Sequence, residues 1–205
     1  MRSFILFSLL IVVCVGGSAC ANPILFAPSG TTLGLGQVRA EAAFSPKDEE
    51  GKFFWLAVGG PGFEVNLLRT DRAVGEPENL IGAQWSFLPE TSITPAISIG
   101  VTDLSSDSAE GISGYAAITK HLPAYRFVSF IDDFSATFGI GLGGIRGPFA
   151  GIEAKLPLKL FFQGEYDSHD VNAAIGWQPT SMFRVKAYSL RHEIYYGAEL
   201  VPIAF

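Results

Sequence analysis

Residues 149–201 read FAGIEAKLPLKLFFQGEYDSHDVNAAIGWQPTSMFRVKAYSLRHEIYYGAELV, and they break into short alternating segments joined by tight turns. Over residues 170–178, Val171, Ala173, Ile175 and Trp177 share one parity, and Asn172, Ala174, Gly176 and Gln178 share the other. An extended strand sends successive side chains to opposite faces, so one face here is apolar and the other is small or polar. Residues 159–167 put Leu160, Phe162 and Tyr166 on the apolar face, with Lys159, Phe161, Gln163 and Glu165 opposite. Residues 182–190 set Phe183, Val185 and Ala187 against Arg184 and Lys186. Turns are expected at 156–157, 167–170, 178–181 and 191–193, each short and rich in turn-compatible residues. The pattern is that of a β-meander.

The same template extends over the rest of the chain. Val38, Ala40, Ala42 and Phe44 alternate with Gln37, Arg39 and Glu41 in a first strand running from about Gly34. Residues 52–59 and 62–70 pair around Gly59-Gly60-Pro61-Gly62, with Phe63, Val65 and Leu67 facing out and Glu64 and Asn66 facing in. Residues 80–88 and 93–102 alternate cleanly, as do residues 134–144; residues 113–121 alternate weakly, and their facing is open. Residues 22–32 read as an irregular lead-in. Residues 121–133 form an apolar connection with Pro123, Tyr125, Phe127 and Phe130, suited to a short interfacial helix and to docking a periplasmic partner.

The strands average roughly nine or ten residues, the length that crosses a bilayer at a tilt. Polar loops at 45–51, 70–78 and 103–111 fall on one side of the strand count, and the short turns at 59–62, 89–92, 156–157 and 178–181 fall on the other. Long loops outside and short turns inside are the habit of outer-membrane barrels, and the connection at 121–133, long and on the inner side, departs from it. The expected fold is therefore all-β: a single antiparallel up-and-down transmembrane β-barrel of about twelve strands, between ten and fourteen.

Composition agrees. The 205 residues are 48% apolar and 17% charged, too apolar for a disordered chain. Beyond the N-terminus no apolar run is long enough for a membrane helix. A net charge of −6 without a basic cluster excludes a nucleic-acid partner. Arg2, the apolar run 4–15 and Ala19-Cys20-Ala21 form a secretion signal over residues 1–21, leaving residues 22–205 as the barrel domain. Both cysteines, Cys14 and Cys20, leave with it, so disulfides and thiolate chemistry go too. The alternative is a lipidated Cys20 at the mature terminus; the run is too short for a retained anchor.

Alternation alone does not say which face meets water, since a lipocalin-like barrel inverts the arrangement. The polar face decides it. Arg39, Glu41, Glu64, Glu153, Lys155, Glu165, Arg184, Lys186 and Glu199 stand there among many Gly, Ser and Thr, which suits a narrow hydrated lumen and makes a poor soluble surface. Phe, Trp and Leu recur on the other face of nearly every strand, where lipid is the tolerant solvent. Arg184 and Lys186 are expected to neutralise Glu165, Glu153 and Glu199 in a lumen network, a structural filling first and an anionic-solute constriction second. Trp55, Trp85, Trp177, Tyr188, Tyr195 and Tyr196 read as interface girdle and strand packing. The terminal Phe205, with Val201 and Ile203 before it, resembles the assembly signal of outer-membrane proteins, with Pro202 as a departure.

Residues 165–182, EYDSHDVNAAIGWQPTSM, resemble the repeated hairpin of the YjbH-like outer-membrane proteins, through Glu165, Tyr166, Asp167, Asn172, Trp177 and Pro179. The resemblance implies a membrane barrel and, through that family, a link to exopolysaccharide production. This chain is far shorter than typical members.

Other candidate chemistry is sparse. His169 and His192 sit in turns beside Asp167, Ser168, Asp170 and Glu193, and outer-membrane enzymes acting on lipid A carry a His and a Ser at the barrel rim. Asp-Ser-His-Asp is first a good turn, however, and the spacing specifies neither a triad nor a metal site. GIGLGG at 139–144 lies inside a strand, with no helix or Lys to make a phosphate loop. No cofactor is called for. The functional expectation is a non-enzymatic outer-membrane barrel contacting lipid, structural or assisting export of an envelope polymer together with periplasmic or export proteins. The rivals are a rim enzyme acting on lipid A and a soluble secreted barrel around an apolar ligand.

Overall fold

The structure, a computed structural model, describes residues 25–47, 51–71, 77–122 and 130–204. Twelve strands are present among them: β1 (Gln37–Phe44), β2 (Lys52–Gly59), β3 (Phe63–Asp71), β4 (Glu78–Leu88), β5 (Ala96–Thr102), β6 (Ser113–Leu122), β7 (Asp133–Leu142), β8 (Gly147–Lys155), β9 (Leu160–Tyr166), β10 (Val171–Thr180), β11 (Phe183–Leu190) and β12 (Glu193–Ala204). Each pairs antiparallel with its neighbours in sequence, and β1 pairs with β12, so the sheet closes on itself and leaves no edge. A 3₁₀ turn, Pro157–Lys159, joins β8 to β9. The secretion signal expected over 1–21, Phe205 and most of the apolar connection at 121–133 lie outside the described residues.

The connections sort to two ends. The β1–β2, β3–β4, β5–β6, β7–β8, β9–β10 and β11–β12 connections make a loop end; the others make a turn end. Pro202 is accommodated within β12 by a register shift against β1, where Val38 pairs with Ile203 and Ala40 with Leu200. A proline lacks the N–H that a regular ladder needs, and a bulge is where a strand tolerates one.

Side-chain facing follows parity. Outward go Phe54, Val58, Phe63, Val65, Ile81, Trp85, Ile99, Ile118, Phe138, Ile140, Phe162, Ile175, Trp177 and Phe183, all exposed. Buried inside are Arg39, Glu41, Glu64, Glu153, Glu165, Arg184, Lys186 and Glu199. In β6 the open question is answered: Ser113, Tyr115, Ala117 and Thr119 are buried, and Ile118 is exposed. The girdle expectation divides. Trp85, Trp177 and Tyr196 are exposed on the outer surface, whereas Trp55, Tyr188 and Tyr195 are buried in the interior. Trp55 lies inside because it shares parity with Phe53 and Ala57 in β2, and there its ring takes the Arg39 guanidinium at 4.6 Å.

The lead-in is irregular, as expected, but it lies inside the barrel, where the sequence alone does not place it. Residues 25–33 run through the barrel from the loop end to the turn end, with Ala27, Ser29, Thr31 and Leu33 buried. Leu25, Phe26 and Ala27 lie beside Glu165 near the loop end, and Gly36 bonds to the Gly59 carbonyl at the turn end (3.1 Å). All three interior apolar clusters include the segment: Leu25 and Phe26 with Phe53, Tyr188 and Tyr195; Ala27 with Tyr115 and Phe149; Leu33 with Trp55.

Such a fit requires close passage along the wall. A Cβ on Gly30 would stand 2.6 Å from the Thr119 nitrogen and 2.7 Å from the Ala96 carbonyl oxygen, backbone atoms that cannot give way. Gly30→Val should therefore lose about 1–3 kcal/mol of stability, the usual cost of overpacking. Gly114→Ala, at a position with nothing within 4 Å, should be neutral. Urea unfolding of the two variants beside the parent checks this, and equal loss in both would refute the fit.

Candidate functional site

The interior holds two kinds of filling, side by side. Between the β1–β12–β11 wall and Glu153 of β8, charges meet. Arg39 reaches Glu41 (3.0 Å) and Glu199 (2.8 Å); Lys186 reaches the same two carboxylates (2.8 and 2.7 Å); Arg184 reaches Glu153 (3.2 Å) and Glu199 (3.7 Å). Three cations thus face three carboxylates, with Glu199 at the centre contacting all three. Tyr188 donates to Glu41 (2.6 Å) and Gln163 to Glu153 (2.7 Å), while the Arg184 guanidinium stacks over Phe161. Glu199 is 0% exposed and Arg39 1% exposed. Buried charges persist only when paired, and each of these faces at least one opposite charge.

On the remaining wall, side chains satisfy the backbone of residues 25–33. Glu165 accepts from the N–H groups of Leu25, Phe26 and Ala27 (2.9, 3.0 and 2.9 Å). The Gln84 amide donates to the carbonyls of Ser29 and Thr31 (2.9 and 2.8 Å), and Ser98 donates to Ser29 (2.9 Å). Thr119 accepts from Gly30 N–H (2.7 Å), and Glu64 from Leu33 N–H (3.0 Å). A non-helical chain inside a barrel has no ladder of its own, so its partners come chiefly from the wall, with the Ser29 hydroxyl also donating to the Thr31 carbonyl (2.9 Å).

The nine charges singled out from sequence therefore separate. Arg39, Glu41, Glu153, Arg184, Lys186 and Glu199 are one cluster; Glu64 and Glu165 hold the segment; Lys155 pairs with Asp133 (2.9 Å), part-exposed at the turn end. Glu165 is not neutralised by Arg184 or Lys186, because the backbone N–H groups of the segment occupy it. Sequence reasoning missed Gln84, Ser98 and Thr119. Their signal was available: uncharged hydrogen-bonding side chains at inward positions, and a lead-in, PSGTT at 28–32, with no charge of its own.

The hairpin at 165–172 takes on a definite role. Asn172 sits across from Glu165 in register, donates to both Glu165 and Asp167 (3.0 Å each), and accepts from the Arg191 N–H (3.1 Å). Asp167 in turn accepts from the N–H groups of His169 and Asp170 (3.0 and 2.8 Å). Glu165, Asp167 and Asn172 thus tie the β9–β10 turn to the N-terminal segment.

Ser168 and His169 are engaged with different partners. Ser168 donates its hydroxyl to the Pro148 carbonyl (3.1 Å), and His169 Nε2 faces Glu110 at 3.8 Å. Ser168 and His192 both have positive φ (85° and 71°), the geometry of tight turns. Among the described residues no cluster of His, Cys, Asp and Glu is arranged to hold a metal ion. Gly139 carries the Phe149 ring against its Cα, so the glycine-rich run serves interior packing.

At the turn end, Glu90 accepts from Lys120 Nζ (3.1 Å) and the His121 N–H (2.7 Å), with His121 Nδ1 at 2.6 Å. Partial burial works to raise the Glu90 carboxyl, but the His121 backbone and ring, with Lys120, outweigh it and hold the carboxyl below its usual value.

No protein-family model matches the chain, and no curated protein matches it. Among solved structures, variants of a porin from Rhodopseudomonas blastica overlay part of the barrel. One is 12% identical, covering 74% of this chain and 55% of that chain at a TM-score of 0.33. Another is 11% identical, covering 76% and 56% at 0.34, and a triple mutant is 13% identical, covering 74% and 55% at 0.33. The chain spans about half the length of these porins. Likeness at that score carries no weight; the fold stands on its strand pairing.

Glu199→Gln leaves Arg39, Arg184 and Lys186 facing only two carboxylates, and should cost about 3–5 kcal/mol. The paired change Glu41→Gln with Lys186→Met removes one charge of each sign and should cost less. Urea unfolding of both decides, and a smaller loss for Glu199→Gln would refute the balance. A second prediction concerns pH. A depressed carboxyl contributes stability above its unfolded value, and that stability is lost as pH falls through the folded one. The melting-temperature gap between the parent and Glu90→Gln should be full at neutral pH, narrow below about 4.3, and close in stronger acid. A gap unchanged down to the acid limit would count against it.

Proposed function

We propose that this chain is a non-enzymatic outer-membrane β-barrel whose bore is filled by its own N-terminal segment, and that it serves as a structural component of the envelope. The observation that carries the reading is the outer surface. Phe138 is 60% exposed, Trp85 55% and Ile175 55%, on strands spread round the barrel, while the charges lie inside. Water does not tolerate an apolar surface that encircles a whole molecule; a bilayer requires one. This arrangement is the reverse of a soluble barrel that holds an apolar ligand. Outward charges stand near the ends: Lys52, Arg69 and Asp71 at the loop end, Lys120 at the turn end. The loop end, with the long polar connections after β1, β3 and β5, then faces outward, and the turn end, which also carries the long β6–β7 connection, faces the periplasm.

A link to envelope-polymer export is supported by the YjbH-like hairpin, whose Glu165, Asp167 and Asn172 hold the segment. The filled bore leaves no passage for a polysaccharide, so in that role the barrel would anchor other export components at the membrane.

Membrane fractionation with gel migration before and after boiling tests the reading. The parent should be found in the outer membrane and shift on heating. Phe138→Arg puts a charge on the mid-strand outer face, where a bilayer imposes about 2–4 kcal/mol; it should lower the folded, heat-shifting fraction. A parent protein that remains in the soluble fraction without a heat shift would overturn the proposal, as would a Phe138→Arg variant that folds and fractionates like the parent.

A further inference from the structure

Above the N-terminal segment, at the loop end, the interior opens into a vestibule of about 440 Å³. Ordinary small-molecule sites run from roughly 300 to 1,000 Å³ and join an apolar lining to a few convergent polar groups. This one has both. Its floor is Leu25, Phe26 and Pro28, and Trp55, Leu68 and Tyr115 line its wall. Its polar groups are biased to one sign: Glu64, Glu78, Asp103, Glu110, Asp167 and Asp170 stand against Arg191 and His169. Arg191 is already engaged with Asp170 at 3.3 Å.

A second observation is independent of that charge. Thr70 lines the vestibule, is 1% exposed, and its hydroxyl has no hydrogen-bond partner. Buried hydroxyls are ordinarily paired, and one left without a partner at the edge of a cavity marks a place for a ligand's polar atom. Thr70 stands directly opposite Glu78 in the β3–β4 register, so an uncommitted hydroxyl and a carboxylate share one spot.

We infer that the vestibule binds a small organic cation, a primary ammonium joined to an apolar group. The ammonium has three protons to donate and no acceptor, which matches the Glu78 carboxylate and a Thr70 hydroxyl acting as acceptor. The apolar group covers Leu25, Phe26 and Pro28, which a hydrated metal ion would leave bare. An anion is repelled by the carboxylates, and a neutral apolar molecule gains nothing from them. The inference rests on the closed barrel and its filled bore, and does not depend on the membrane reading.

The test is calorimetric titration of the full-length protein in detergent with phenethylamine, with its neutral analogue 2-phenylethanol and with phenylacetate. Saturable binding is expected for the amine alone. Glu78→Gln should weaken it about tenfold, the size of a lost charge-assisted hydrogen bond, and Thr70→Val should weaken it by a smaller factor. A β-sheet circular dichroism spectrum and cooperative urea unfolding like the parent's show that each variant is folded. No saturable heat, equal binding of amine and alcohol, or unchanged affinity in folded Glu78→Gln would overturn the proposal. Displacement of the amine by millimolar calcium at an affinity above its own would also overturn it, because the site would then be one for an inorganic cation.

Discussion

A closed sheet encloses a bore, and everything inside that bore has to satisfy everything else. Water is scarce there, so each buried donor, acceptor or charge needs a partner from the wall or from the filling. Glu165 states the constraint in one side chain: a single buried carboxylate takes three successive backbone N–H groups from Leu25, Phe26 and Ala27. Without that side chain the backbone at the start of the segment loses its hydrogen-bonding anchor. Without the segment, Glu165 is a buried charge with Asn172 as its remaining donor.

The two halves of the interior solve the same problem by different means. Where the segment runs, the wall carries uncharged hydrogen-bonders and one acid at each end, Glu165 and Glu64, because a peptide backbone presents neutral dipoles. Where it does not run, the space is taken by long side chains from the wall itself, and these balance in charge around Glu199. The division explains why so many inward positions are Gly, Ala, Ser or Thr. Gly30 and Gly59 let the segment and the wall approach as backbone to backbone, and larger residues there would leave no channel for it.

The barrel was legible in the sequence because period-two alternation is local: Val171, Ala173, Ile175 and Trp177 announce an outer face without help from any other strand. The loop asymmetry was legible for the same reason. Pairing within the bore was less so, since it joins residues far apart in sequence. Lys186 contacts Glu41 across 145 positions, and no spacing rule reports that. Glu165 was assigned to the cation cluster because charge was visible and a backbone partner was not. The lead-in is irregular and carries no period, and only its lack of charge and its small residues hint that it is buried.

The position of the segment also sets an order of events. Residues 25–33 precede β1, and β1 forms the seam with β12 that shuts the ring. A strand of chain that occupies the length of the bore, flanked by Tyr188, Trp55 and the ion cluster, cannot be drawn through after those groups have met. It has to be laid against β3–β6 and β9 while the sheet is still an open, curling ribbon, and the seam then closes over it. Residues 25–33 thus act as a mandrel on which the last strand comes to rest, and the bulge at Pro202 lies in the joint that is completed last.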